Sequence, residues 1–439
     1  MEDLELLNEI ISQNPWWTAG APLKEKTTTR DVWSEVLEDI GKKEVTCFVG
    51  LRRVGKTILM KQAIQHLLEN GIAPKRILYF SFDAMKKEES IIRRIVTIYS
   101  RNIIQEVPNE LTDKVFIFLD EVQKIKEWGE EVKSIFDKDW NIKFFVSGSS
   151  SMNILKGSGE SLIGRIRIHR IHPFSFREFL RHNGMEIGNM PLGDLKPPLQ
   201  TEKIILLFDR YMELGGFPET YSLTKEGLKN TLKTWIDLVF YRDIVNLFEV
   251  KRIDALEGLF YSFVKESGNI VNYAKLANSL NTKFETIKTY IEYLDNSFLI
   301  EKSQYYSGSR IKISEKNFKI YASDHAFFHL EDTEEGLIAE TLVFNHCKKH
   351  IWEDVFYWKD IKGNEVDIVI LKNKTLLPIE VKFKSRVDKK ELKGLFSFMD
   401  KYNCKNGIVV TKNSLDSIES EGKEIRMMPI WLFLLANQY

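Results

Sequence analysis

Two groups of residues in this chain have the types and spacing to do chemistry. The first is Gly50-Leu51-Arg52-Arg53-Val54-Gly55-Lys56-Thr57, answered further along by Asp120-Glu121. The two glycines let a backbone curl until its N–H groups face phosphate oxygens, and a following helix adds the positive end of its dipole. Lys56 would then reach the β- and γ-phosphates of ATP, and the Thr57 hydroxyl would ligate Mg²⁺. Asp120 would hold the same ion through water, while Glu121 orients and polarises the attacking water. Gly50, Arg52, Arg53, Val54, Gly55, Lys56, Thr57 and Ile58 form the expected nucleotide-binding set, with Ser147 joining from a later strand. A glycine turn before a helix is also a common structural device. The Lys-Thr pair in register behind an apolar run favours the phosphate reading.

The second group is Glu340, Asp367, Glu380 and Lys382. Three carboxylates and a lysine that converge make a hard oxygen site for Mg²⁺. Such an ion activates water and stabilises charge developing at phosphorus, with Lys382 placing the water or neutralising the phosphorane. The other reading keeps the acids as structure in an inactive binding domain.

These residues need elements to hold them. Val45–Val49 reads as a buried parallel strand and Ile58–Ile64 as a helix, which gives the loop its strand-loop-helix setting. Arg76–Asp83 is a second strand. Val115–Leu119 is a third, ending in the two acids at the sheet edge where ligands bind in open α/β sheets. Lys143–Val146 is a fourth, ending in Ser147-Gly148-Ser149, where Ser147 or Ser149 could touch the γ-phosphate or the water. Arg165, before strand Ile166–Ile168, is a candidate arginine finger for its own nucleotide or a neighbour's; an ordinary surface arginine is the other reading. Trp16-Trp17 either covers an adenine base or packs the N-terminal arm onto the core.

Further on, Gly215-Gly216-Phe217-Pro218 is a turn between helices. The stretches 271–280, 284–294 and 298–300 give helix, turn, helix, strand, the winged-helix pattern. Its second helix mixes Lys283 and Lys288 with Glu285, Glu292 and Asp295, a poor face for phosphates, while Ser309 to Lys316 offers a basic wing. DNA docking and protein interaction both stay open for this module. Helix 337–345 and strands 354–358, 365–370 and 377–382 follow, and strand alternation puts Glu380 and Lys382 on one face.

Composition bounds these readings. The chain has 439 residues, enough for about three domains. With 63 basic and 63 acidic side chains its formal charge is zero, so any nucleic-acid surface must be a local patch. Three scattered cysteines give no disulfide framework and fit a reducing cytoplasm. An acidic N-terminus and the lack of about 18 consecutive apolar residues point away from secretion and the membrane.

The motif order resembles the prokaryotic AAA-type ATPases, in particular those whose C-terminal half is catalogued as a domain of unknown function. The likeness is carried by the phosphate loop, Leu119-Asp120-Glu121, Val146-Ser147-Gly148-Ser149, Gly164-Arg165, Pro173-Phe174-Ser175-Phe176-Arg177-Glu178-Phe179 and Leu214-Gly215-Gly216-Phe217-Pro218-Glu219. It implies ATP and Mg²⁺ as cofactors, a helical lid, and assembly of several copies. Asp367 and Glu380-x-Lys382, with Glu340, resemble the restriction-endonuclease-like superfamily, which implies metal-dependent DNA cleavage. The expected architecture is α/β in three parts. A P-loop AAA-type domain with a parallel sheet spans 1–200, a helical lid and winged helix 201–330, and a restriction-endonuclease-like domain 331–439. The expected function is ATP hydrolysis coupled to DNA binding or cleavage. The alternative is a nucleotide-gated regulatory or scaffolding protein that binds a protein partner through an inert C-terminal domain.

Overall fold

The apolar runs that end in polar residues become the strands of one parallel sheet: β1 (Val45–Val49), β2 (Ile77–Ser81), β3 (Val115–Asp120), β4 (Ile142–Gly148) and β5 (Ile166–Arg170). The computed structural model describes residues 2–19, 28–83, 90–149, 162, 164–245, 248–308, 318–351 and 354–437. Its contacts divide the chain into two compact units, Met1–His172 and Pro173–Tyr439.

In the first unit every residue of β1, β3 and β4 is buried, as a parallel sheet covered on both faces requires. The strand order is β2-β3-β4-β1-β5. With β4 between them, the loop after β1 and the acids after β3 open on one edge, about 10 Å apart at two strand spacings. The edge of β2 is closed by the N-terminal arm. Asn14 Nδ2 donates to the Tyr79 carbonyl at 2.8 Å and its Oδ1 accepts from the Tyr79 N–H at 2.7 Å, completing the ladder with a side chain. Trp16 and Trp17 donate to the Ile77 carbonyl at 3.2 and 2.8 Å. Ile77 begins β2, at the end away from the phosphate loop, so the tandem tryptophans pack the arm and do not cover a base.

The second unit is built on a nine-stranded sheet of order β13-β14-β12-β11-β10-β9-β7-β8-β6. Its strands are β6 (Asn269–Ile270), β7 (Ile300–Tyr305), β8 (Lys319–Ala322), β9 (Asp354–Lys359), β10 (Glu365–Lys372), β11 (Thr375–Lys382), β12 (Asn406–Thr411), β13 (Asp416–Ser420) and β14 (Lys423–Pro429). Helices Ile253–Lys265, Tyr273–Ser279 and Phe284–Asn296 precede β7, in the helix-turn-helix-strand order read from the sequence. The expected basic wing, 309–316, lies outside the described residues. Strand β7 pairs in parallel with β9 through Gln304↔Phe356 and Tyr305↔Tyr357. The divisions expected at 200/201 and 330/331 therefore differ from the contact boundary at 172/173, and the sheet runs through the second of them. Helices Thr201–Leu214 and Lys225–Leu238 lie in the 201–330 stretch expected to hold a helical lid, and they belong to the second unit, where Phe217 packs edge-on to Trp235 at 5.6 Å.

The glycine turn has a physical reason. Gly215 has φ +79°, and a Cβ on Gly216 would stand 2.7 Å from Pro173 Cβ and 2.8 Å from Asp324 Oδ2. Asp324 accepts from the Gly216 N–H at 3.1 Å and the Ala326 N–H at 2.9 Å, so the turn is pressed onto residues 324–326 with no room for a methyl. Gly216→Ala is expected to cost the second unit about 1–3 kcal/mol as overpacking. Gly336→Ala, at a helical glycine whose added Cβ meets nothing within 4 Å, is expected to be neutral or stabilising. Urea unfolding of both variants checks the contrast; equal midpoints would refute it. Among the described residues no helix is long and apolar enough to cross a membrane.

Candidate nucleotide site and the C-terminal acid cluster

β1 ends at Val49 and the helix Lys56–Glu69 begins at Lys56, so Gly50–Gly55 forms the curled connection. Arg53 (φ +67°) and Gly55 (φ +93°) take left-handed backbone, and a Cβ on Gly50 would lie 2.1 Å from the Ile171 carbonyl oxygen. Gly50 is thus fixed by close approach of the chain leaving β5, and Gly55 by the turn into the helix. Val54 is fully buried, while Arg53 and Ile58 are exposed and Arg52 is half-buried. Lys56 is 5% exposed, and its Nζ caps the carbonyls of Gly50 and Leu51 at 3.0 and 3.1 Å.

The acids arrive from β3. Asp120 Oδ2 accepts from the Thr57 hydroxyl at 2.7 Å and from the Tyr79 hydroxyl at 2.9 Å, while Oδ1 pairs with the Ser147 hydroxyl. Burial and then the Asp120 charge push the Tyr79 hydroxyl far above its ordinary range, so it stays a donor. Glu121 has φ +61°, its N–H donates to Ser147 Oγ at 3.0 Å, and its carboxylate accepts from Gln123. Lys56, Thr57, Asp120, Glu121 and Ser147 are therefore brought to one sheet edge. Thr57 and Asp120 present the hard oxygen donors that suit Mg²⁺.

Arg165 is not there. Its carbonyl accepts from the Val45 N–H at 2.8 Å, at the start of β1, and its guanidinium pairs with Asp137 at 3.0 Å. A five-residue strand, about 16 Å, separates that end of the sheet from the loop, which corrects the reading in which Arg165 serves its own nucleotide. Arg30, which belongs to none of the motifs, is 6% exposed and donates to the Val54 carbonyl at 2.7 Å and the His172 carbonyl at 2.6 Å. It ties the loop to the chain beyond β5. Nothing local marks an arginine 24 residues before its target.

In the second unit Glu340, from helix Glu335–His346, meets Asp367 on β10 and Glu380 on β11. Asp367 Oδ2 accepts from the Val381 N–H at 2.8 Å, and Lys382 pairs with Glu380 at 2.5 Å. Between them lies Lys319 on β8, 2% exposed, with its Nζ 3.0 Å from Glu340 Oε1, 2.7 Å from Glu365 Oε1 and 3.8 Å from Asp367 Oδ1. Among the described residues no three His, Cys, Asp or Glu side chains are grouped to hold a metal ion. As they stand, the oxygens of Glu340 and Asp367 are turned to the Lys319 ammonium and the Val381 N–H rather than to one another. The sequence reading missed Lys319 and Glu365. Their signals were a lone lysine inside the apolar stretch Phe318–Ala322, and a glutamate two residues before Asp367, hence on its face of the strand.

Burial, then the Asp367 charge, push the Glu380 carboxyl up to about 8 and Glu340 up to about 7. A carboxyl whose folded value exceeds its unfolded value near 4.5 costs the fold nothing while protonated, and more as the pH rises through that interval. Lys319 and Lys382, both raised, lose their protons only above this window. Glu380 and Glu340 are therefore expected to withdraw stability from the second unit between about pH 5 and about pH 8, read as a shallower fall in Glu380→Gln than in wild type, because buried His325, held below its ordinary value, works in the other direction in both. Melting curves across that range check this, and an unchanged slope in the variant would refute it.

A family match covers the sheet and loop of the first unit. Residues 42–180 match the family model described as AAA domain, residues 205–334 the Domain of unknown function (DUF8612), and residues 335–433 the Domain of unknown function (DUF4143). An uncharacterized protein of Methanocaldococcus jannaschii is 26% identical over 98% of this chain and 95% of its own length. An uncharacterized protein of Haemophilus influenzae is 25% identical over 87% of this chain and 92% of its own. Among solved structures, AMPPCP-bound DnaA from Aquifex aeolicus is similar at 16% identity, 60% of this chain, 86% of that chain and a TM-score of 0.25. The parallel sheet with its curled loop is a P-loop fold of AAA type, and the family match over it supports a nucleotide-binding protein of that type.

Proposed function

We propose that this chain hydrolyses ATP in its first unit. The observation that carries the reading is the Thr57 hydroxyl 2.7 Å from the Asp120 carboxylate, beside a buried Lys56 on a glycine-curled loop. The loop N–H groups and the helix N-terminus bind the phosphates, and Lys56 neutralises the β- and γ-oxygens. Thr57 and Asp120 would hold the Mg²⁺ that accompanies the triphosphate, whose charge offsets that developing on the transferred phosphoryl group. Ser147 fixes the Asp120 carboxylate and the Glu121 N–H together. Glu121 then has a set backbone from which to orient water for in-line attack. Arg165, at the far end of the sheet, would act only on a neighbouring copy, which ties an arginine-finger role to a homo-oligomer. Steady-state ATP hydrolysis by the full chain, with and without Mg²⁺, tests the reading. No turnover together with no binding of a non-hydrolysable ATP analogue would overturn it.

What turnover drives has two readings. One couples it to DNA, with helix Phe284–Asn296 docking and Asp367, Glu380 and Lys382 cleaving with a metal. The other is a nucleotide-gated regulator or scaffold acting on a protein partner, with the acid cluster inert. The second is favoured by the Lys319 ammonium, which stands among Glu340, Glu365 and Asp367. The exposed face of helix Phe284–Asn296 also carries Glu285 and Glu292 beside Lys288, a poor match to phosphates. A gel shift on duplex and single-stranded DNA, and a cleavage assay with Mg²⁺ or Mn²⁺ on wild type and Asp367→Ala, separate the two. Cleavage lost in Asp367→Ala would decide for the first.

A further inference from the structure

We propose that the Lys319 ammonium is the resident cation of the C-terminal acid cluster and excludes a divalent metal from it. This deepens the inert-cluster reading above and stands on the second unit alone, so the outcome of the ATPase test does not bear on it.

Lys319 Nζ lies 2.7 Å from Glu365, 3.0 Å from Glu340 and 3.8 Å from Asp367, among the carboxylates a metal would have to bridge. A divalent ion needs its oxygens drawn in to about 2.0–2.6 Å, which the ammonium's position prevents. Charge points the same way. Glu340, Glu365, Asp367 and Glu380 already face Lys319, Lys359 and Lys382, through ion pairs that include Lys359–Glu365 at 2.9 Å and Lys382–Glu380 at 2.5 Å. Three ammonium groups against four carboxyls leave little negative charge to draw a dication out of water.

Nor does Lys319 have a cheap way out. It is 2% exposed, on β8 between β7 and β6, with the Tyr357 ring 5.8 Å from Nζ. Turning the ammonium away would strand a buried charge without its partners, which is strongly unfavourable. The same strand carries Tyr321, whose hydroxyl donates to Glu340 Oε1 at 2.9 Å, so β8 supplies two groups that saturate one carboxylate oxygen. A Cβ on Gly268 would stand 3.0 Å from that same oxygen, which shows how closely the chain closes round it.

The test is Mn²⁺ uptake by the nucleotide-free full chain, read as loss of the free-ion signal in electron paramagnetic resonance. Wild type and Asp367→Asn should bind equally, because the cluster contributes no site to either. Lys319→Met should gain one further equivalent of Mn²⁺, and Lys319→Met combined with Asp367→Asn should lose it again. If circular dichroism shows Lys319→Met unfolded, Lys319→Gln carries the same expectation with a polar side chain in the gap. Wild type taking up an equivalent that Asp367→Asn removes would overturn the proposal. So would a folded Lys319 variant that gains nothing.

Discussion

Lys56→Ala is expected to bring ATP turnover down by about a hundredfold or more, the scale seen when one preorganised charge partner of a transition state is removed. The side chain is well placed for so large an effect. Its Nζ is held over the loop by the Gly50 and Leu51 carbonyls at 3.0 and 3.1 Å, so little entropy is lost when phosphate replaces them. Alanine at the first residue of helix Lys56–Glu69 keeps helix propensity, so the fold should survive and the loss can be assigned to the site. Steady-state phosphate release together with nucleotide binding by fluorescence is the measurement. Turnover within a fewfold of wild type, in a variant with a native circular dichroism spectrum, would refute the role given to Lys56.

Glu121→Gln should separate binding from hydrolysis. The substitution keeps size and hydrogen bonding and removes the charge that polarises water. Turnover is expected to fall about a hundredfold to a thousandfold, within the range for a lost general base. Nucleotide affinity should hold, since Lys56, Thr57 and Asp120 are untouched and Ser147 still accepts from the backbone N–H of residue 121. The left-handed backbone at Glu121, φ +61°, is shared by the variant, so any strain cancels in the comparison. Chromatography of the nucleotide retained after desalting should find ATP in Glu121→Gln and ADP in wild type. ADP in both would move the base to another residue.

Much of the first unit was legible because its signals are local. A buried strand must be apolar along its length, and residues that meet a ligand must follow it at once. Val45–Thr57, Val115–Glu121 and Lys143–Ser149 each carry both halves of that message within a dozen or so residues. Strand alternation likewise put Glu380 and Lys382 on one face before any pairing was known.

What the chain alone left undecided depends on partners far away in sequence. Arg30 reaches the loop because the end of β5 folds back beside it, and Arg165 falls at the end of the sheet away from its own loop because β5 runs parallel to β1. The three-part division met a sheet continuous from β6 to β13, joined by two residue pairs between β7 and β9 that no local periodicity encodes. Lys319 shows the difference most plainly. Composition and motif supplied three acids and a lysine that promised a metal, and a strand from outside the motif delivered the ammonium that sits among them. Residue types set which charges were available. Tertiary pairing set which of them meet, because a Coulomb interaction depends on distance in space and carries no trace in spacing along the chain.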